Sequence, residues 1–333
     1  MGSPTKALRA VVMPLVWCAA GLALLVAGAE LIVRGGSDVA TRLGISPLII
    51  GLTIVSIGTS TPELAIGIEA ALRGEGELAV GNIVGTNMVN ILLILGLSAL
   101  IRPLAIRSQT IRMDLPMIIV ASLMLAGAAW DGALSRAEGV LLTVSALAYT
   151  VLLLWVARRE SRQLKEAFAR ELEGQSPPAA PNMLRSFVLL LVGIAVVVLG
   201  ADWLVDGAVV LARLWGVSDA FIGLTVIAIG TSAPELVTTV VSTIRDTRDI
   251  AIGNLLGSSV YNILFILGIT CLFPAESIPV GPALIRTDIP LMTGVALLCV
   301  PVFVTGRQVT RLEGALFVTA YAAYLAYLIA TRT

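Results

Sequence analysis

The chain reads as an all-α polytopic membrane protein with ten transmembrane helices, arranged as two inverted five-helix repeats in which helices two and seven are broken. Three observations lead there. Hydrophobic residues make up 57% of the 333 positions and charged residues 13%, with a mean hydropathy of +0.96. Apolar runs of about 20 residues with so few charges span bilayers. A block of sequence then recurs 172 positions later: GLTIVSIGTSTPEL at 51–64 returns as GLTVIAIGTSAPEL at 223–236. Each copy also holds five apolar runs, and an odd number obliges the second copy to enter the membrane from the opposite side.

The first run, 12–33, has its partner in the sixth, 184–206, because GLALLVAGAELIVRGG at 21–36 matches GIAVVVLGADWLVDGA at 193–208. A run that recurs mid-chain is part of the fold, not a signal peptide. Both are smooth and apolar at their centres, as helices that slide in lipid should be. The second and seventh runs, 46–71 and 217–243, carry the breaks. Gly58 and Pro62, with Gly230 and Pro234, weaken a continuous helix and should free carbonyls near 56–59. The third and eighth, 78–101 and 250–273, contain GNIVGTNMVNILLILG and GNLLGSSVYNILFILG, whose glycines Gly81, Gly85, Gly253 and Gly257 permit close helix approach. The fourth and ninth, 113–129 and 284–304, open on Asp114 and Asp288, expected as helix-start residues. The fifth and tenth, 137–157 and 312–330, complete the repeats. The domains are therefore 1–157, a charged cytoplasmic linker at 158–183 with Pro177, Pro178 and Pro181, and 184–333.

Orientation follows from the basic residues. With the N-terminus outside, 15 of the 22 Lys and Arg fall in cytoplasmic loops and 7 outside, although Lys6 and Arg9 count against that choice. The expected location is a cell (inner or plasma) membrane, multi-pass, with both termini extracytoplasmic. Cys18, Cys271 and Cys299 form no CxxC, so neither a disulfide framework nor a zinc site is expected. The absence of His removes imidazole from any mechanism. Nothing points to nucleic acid, a resident cofactor or an obligate protein partner; the lipid bilayer is the implied surrounding.

The chemistry sits in the repeated blocks. Glu63 and Glu235 each stand inside an apolar run, and an ionisable residue there is a functional-site hypothesis by default. Thr59 and Ser60, with Thr231 and Ser232, add hydroxyls beside the breaks. Thr86 and Asn90, spaced i, i+4, share one helix face, as do Ser258 and Asn262. All are oxygen-bearing side chains, with no His, Cys or Met among them. Ligand softness then favours Na⁺, Ca²⁺, Mg²⁺ or Mn²⁺. Two carboxylates neutralise one divalent cation, and the roughly six to eight oxygens that Ca²⁺ takes suit such a cage better than the hydrated Mg²⁺. Ligands shared between Ca²⁺ and several Na⁺ would make the two cargoes mutually exclusive, which is the basis of exchange. Glu30, Asp202 and Asp206 lie near span ends and are expected to be solvated at the interface.

At these residues the chain resembles the Na⁺/Ca²⁺ exchanger family of the calcium/cation antiporter superfamily, particularly its short prokaryotic members. The resemblance rests on two copies of GTS-x-PE followed by GN-x-x-G-[ST], and it covers all ten runs. It implies cation sites at the centre of spans two, three, seven and eight. Glu63 and Glu235 would carry Ca²⁺ with the carbonyls of Thr59 and Thr231. The hydroxyls of Ser60, Ser232, Thr86 and Ser258 and the backbone oxygens of Ser56 and Ala228 would serve Na⁺. Asn90 and Asn262 match the remaining central positions. Many members carry Asp where Asn262 stands, and proton-coupled relatives typically carry a further Glu in the GN blocks. The lack of that Glu favours Na⁺ over H⁺, with a proton- or other divalent-cation antiporter as the alternative. A cation channel is a further rival, and an intramembrane hydrolase on Ser60 or Ser232 would lack both the His and the G-x-S-x-G elbow.

Overall fold

The computed structural model describes residues 4–171, 182–216 and 228–332. They form a multi-pass helical bundle. Helix α1 spans Pro4–Leu43. The second run is a bent pair, α2 (Pro47–Thr59) and α3 (Thr61–Leu72), turning by 43°. Then follow α4 (Gly76–Ile101), α5 (Thr110–Asp131) and α6 (Arg136–Glu171). The second half holds α7 (Met183–Leu214), the short α8 (Ala228–Thr231), α9 (Ala233–Ile244), α10 (Arg248–Thr270), α11 (Leu284–Val304) and α12 (Arg311–Arg332). Among the described residues eight helices are long and apolar enough to cross a membrane, nine with the bent pair counted as one span. The front of the seventh run, 217–227, lies outside the described residues. Helix α6 continues through 158–171, so that part of the expected linker is helical; residues 172–181 lie outside the described residues.

Burial sorts the helices into centre and rim. In α10, 94% of the apolar stretch is buried, and in α4 78%, against 17% in α12 and 22% in α1. Helices α4 and α10 therefore form the core, with Leu92, Leu95, Leu255, Val260 and Leu264 in one continuous apolar cluster. The rim helices offer Leu, Val and Trp outward, as a lipid-facing surface must.

Helices α1 and α7 pack along each other on two sets of glycines at heptad spacing, Gly21, Gly28 and Gly35 against Gly193, Gly200 and Gly207. A Cβ built on Gly200 would lie 2.7 Å from the Leu25 nitrogen and 2.8 Å from the Gly21 carbonyl oxygen. Only glycine allows two backbones that close, and such small-residue seams drive helix pairing in lipid. The two helices form one unit, whose Leu25, Ile32, Leu190 and Val197 cluster with Ile50 and Val55 of α2 and Ala233 of α9. At the membrane faces, two short antiparallel ribbons tie distant segments together. Leu104–Ala105 pairs with Gln308–Val309, and Ala133–Leu134 with Ile278–Pro279.

One expectation about acids is corrected here. Asp114 and Asp288 are not helix-start residues. Helical turns with i→i+5 bonding (Thr110–Asp114 and Leu284–Asp288) precede them, and both are buried. The Tyr149 hydroxyl donates to Asp114 Oδ1 at 3.0 Å and that of Tyr324 to Asp288 Oδ1 at 3.3 Å. Burying a carboxylate without such a partner is costly, so each acid is bound to the following helix. Glu30 is partly exposed, as expected, and is ion-paired to Arg34 and Arg245.

Candidate functional site: a buried oxygen cage

Both broken runs bend at the serine of GTS-x-PE. Ser60 has φ −83°, ψ 13°, and Ser232 has φ −86°, ψ 7°. The same sequence produces the same break twice. Pro62 and Pro234 sit in the first turn of α3 and α9, where the missing N–H costs least. The freed carbonyls are fewer than expected at 56–59. The Ser60 N–H donates to the Ser56 carbonyl at 3.1 Å, and the Thr61 hydroxyl donates to that of Gly58 at 2.8 Å.

The break turns each glutamate inward from the first turn of its helix. Glu63 and Glu235 are both fully buried. The Ser60 hydroxyl donates to Glu235 Oε1 at 3.0 Å, and that of Ser258 approaches the same oxygen at 3.5 Å. Three elements thus meet at one carboxylate oxygen. Oε2 of Glu235 and both oxygens of Glu63 have no hydrogen-bond partner among the described residues. Asn90 and Asn262 are fully buried with neither amide atom satisfied, and the Ser232 hydroxyl is unpaired as well. Thr86 and Thr231 are buried in α4 and α8, and Ala228 begins α8. Ser56 is fully buried, its hydroxyl 2.6 Å from the Gly51 carbonyl and 3.0 Å from that of Asn254.

A buried polar group left unpaired costs about 1–3 kcal/mol, more when charged. Natural cores carry few of them. Two carboxylates, two amides and a hydroxyl of the repeated blocks are in this state among the described residues. Among the described residues no three His, Cys, Asp or Glu come together.

Two features escaped the sequence reading. Asn254 receives the Thr59 hydroxyl on Oδ1 at 3.2 Å and donates from Nδ2 to Thr239 Oγ1 at 3.2 Å. It stands in the GN block one helical turn before Ser258, and that position was its available signal. Asn90 and Asn262 also lie in widened i→i+5 turns, Val89–Leu95 and Asn262–Leu267. Such bulges recur at functional sites. Close packing holds α10 against α2: a Cβ on Gly257 would meet Ser56 Oγ at 2.2 Å, and one on Gly253 the Leu48 carbonyl oxygen at 2.5 Å.

A multi-pass helical bundle with such a cage at its buried centre defines a cation transporter. The chain belongs to the sodium/calcium exchanger protein family, whose model matches residues 13–155 and 185–330. It is 30% identical to the sodium/calcium exchanger MaX1 of Methanosarcina acetivorans, over 92% of this chain and 96% of that one. It is 38% identical to the inner membrane protein YrbG of Escherichia coli, over 78% and 80% of the two chains. A solved structure of the sodium-calcium exchanger NCX_Mj superposes with a TM-score of 0.80 at 28% identity, covering 97% of this chain and 99% of the other.

Proposed function

We propose that this protein exchanges Na⁺ for Ca²⁺ across a cell membrane by alternating access, on ten helices forming two inverted five-helix repeats, 1–157 and 184–333, with both termini extracytoplasmic. Glu63 and Glu235 hold Ca²⁺ with the carbonyls of Thr59 and Thr231. Na⁺ takes the hydroxyls of Ser60, Ser232, Thr86 and Ser258 with the backbone oxygens of Ser56 and Ala228, and Asn90 and Asn262 complete the centre. The observation that carries this reading is the pair of fully buried glutamates with three of four carboxylate oxygens unpartnered among the described residues. Because the hydroxyls of Ser60 and Ser258 already converge on Oε1 of Glu235, Na⁺ and Ca²⁺ compete for one set of ligands. The unit of α1 and α7 slides across this site and exposes it to one face at a time.

The test is Na⁺-gradient-driven uptake of radiolabelled Ca²⁺ into proteoliposomes, with Mg²⁺, Mn²⁺ and K⁺ as competitors. Uptake that persists when the Na⁺ gradient is collapsed and a pH gradient is kept would assign proton coupling instead. Glu63→Gln should abolish uptake; full activity in that variant would remove the site assignment.

A further inference from the structure

Between Glu235 and Arg245, helix α9 carries hydroxyls at every inward position. Thr238, Thr239, Ser242 and Thr243 are all fully buried. Their spacing from Glu235, i+3, i+4, i+7 and i+8, continues the face that bears the carboxylate. The matching positions in the first copy of the sequence repeat are Ile66, Gly67, Ala70 and Ala71. The polarity therefore belongs to one half of the molecule only.

Two of the four hydroxyls are accounted for locally. Thr239 accepts from Asn254, and Thr243 donates to the Thr239 carbonyl at 2.8 Å. Those of Thr238 and Ser242 have no partner among the described residues, and neither has that of Ser98 on α4, which packs against α9. Ser98 is also fully buried. In the other copy its counterpart Thr270 donates to the Ile266 carbonyl at 2.8 Å, and a Cβ on Gly67 would meet its Oγ1 at 2.9 Å. Thr270 is thus bonded and closely packed, whereas Thr238, Ser242 and Ser98 have no hydrogen-bond partner among the described residues. Their row ends at Thr247, which donates to the Ser242 carbonyl at 3.0 Å. Thr247 also lines a cavity of about 540 Å³ together with Glu30, Ser37, Asp38 and Arg245.

We propose that Thr238, Ser242 and Ser98 form a staging site for a hard cation, Na⁺ or Ca²⁺ carrying part of its hydration shell, between Glu235 and the cavity at the Arg245 face. The inference rests on the exchanger reading above. Neutral hydroxyls replace water ligands without trapping the ion, as a transit site requires. The opposite half has no such row, so ions reach the cage from the two faces through unlike surroundings.

The test uses the full chain with Cys18, Cys271 and Cys299 replaced, reconstituted in liposomes. In that background Thr238→Cys and Ser242→Cys should react with a small cationic methanethiosulfonate applied at the Arg245 face, and Na⁺ or Ca²⁺ should protect them. Ile66→Cys and Ala70→Cys should stay unreactive from either face. Unreactive thiols at 238 and 242, or equal labelling at 66 and 70, overturn the staging site. Thr238→Val and Ser242→Ala should each raise the half-saturating Ca²⁺ at the Arg245 face by roughly fivefold, a hydrogen-bond-sized effect, without changing it at the opposite face. Equal shifts at both faces, or none, also overturn it. Labelling and protection are read without flux, so a chain that stages cations but does not exchange Na⁺ for Ca²⁺ would sink the exchanger reading alone.

Discussion

Arg245 at the end of α9 reaches Glu30 on α1, with Nε 2.8 Å from Oε2, while Arg34 holds the other oxygen of Glu30 at 2.8 Å. The pair joins the α1–α7 unit to the core at one face. At the matching positions of the repeat stand Asp202 and Arg73, and there Arg73 pairs with Glu69 on its own helix at 2.6 Å. Helix α1 packs along α9, whereas α7 makes no comparable packing along α3. One face is clamped and the other is not. A partly exposed ion pair contributes only about 0–1 kcal/mol, enough to bias a movable unit without locking it. Glu30→Cys combined with Arg245→Cys, in a background without the native cysteines, should therefore stop exchange on oxidation and recover on reduction. Full flux in the crosslinked protein would exclude a sliding α1–α7 unit.

Ser60 should matter more than Ser258 for Glu235. The first donates at 3.0 Å and the second lies at 3.5 Å, near the limit of a useful bond. Ser60→Ala removes a hydrogen bond to a charged group, an effect of roughly 1.5–3 kcal/mol, so Ca²⁺ affinity should fall about tenfold or more. Ser258→Ala should have the smaller effect. Isothermal titration of the purified variants with Ca²⁺ ranks the two, and the reverse order would contradict the geometry.

Protons and cations compete for the same carboxylates. Protonating Glu63 or Glu235 removes the charge that balances a divalent ion, so lowering the pH should raise the Ca²⁺ concentration needed for half-maximal transport. Saturating Ca²⁺ should restore the rate. Transport measured from pH 8 to 5 that stays flat would argue against both glutamates as ligands.

The glycine seam makes a stability prediction. At Gly200 any Cβ would strike backbone of α1 within 2.8 Å. Gly200→Val should lower the melting temperature in detergent, with an overpacking cost of about 1–3 kcal/mol. In α5, Gly127 has nothing within 4 Å of its built Cβ. Gly127→Ala should be neutral or stabilise by up to about 1 kcal/mol. Equal losses in both would show that the seam is not what holds α1 to α7.

Tyr149→Phe should destabilise the fold by about 1–3 kcal/mol, because Asp114 is fully buried and its other oxygen has no hydrogen-bond partner among the described residues. Exchange per folded molecule should not change, since the one hydrogen bond of Tyr149 among the described residues goes to Asp114 and not to the cage. A selective loss of transport with an unchanged melting curve would give this pair a role in ion handling.

Much of the site was legible in the sequence because its determinants are local. Gly, Ser and Pro at fixed offsets from Glu63 and Glu235 dictate where each helix breaks and where its acid emerges. The hydroxyl and amide positions at 86, 90, 258 and 262 follow from helical spacing alone. Asn254 was missed because its role is defined by Thr59 and Thr239, on other helices. The widened turns at Asn90 and Asn262 were missed because nothing in their apolar surroundings marks them. Asp114 and Asp288 were misread for a related reason: an acid near a helix start looks like a dipole partner until a tyrosine 35 or 36 residues later is seen to cover it.

By itself, the sequence determined that the chain is a duplicated helical membrane protein with a broken helix and a buried acid in each copy. Those are properties of hydropathy, backbone propensity and ligand chemistry, and each is written within a few helical turns. Only the tertiary structure decided that Ser60 of one copy bonds Glu235 of the other, that glycine heptads join α1 to α7, and that Arg245 clamps Glu30. It also left the hydroxyls of Thr238, Ser242 and Ser98 without a partner among the described residues, while Thr270 in the corresponding place is bonded. These contacts join residues as much as 215 positions apart. They exist only once packing has chosen which faces meet.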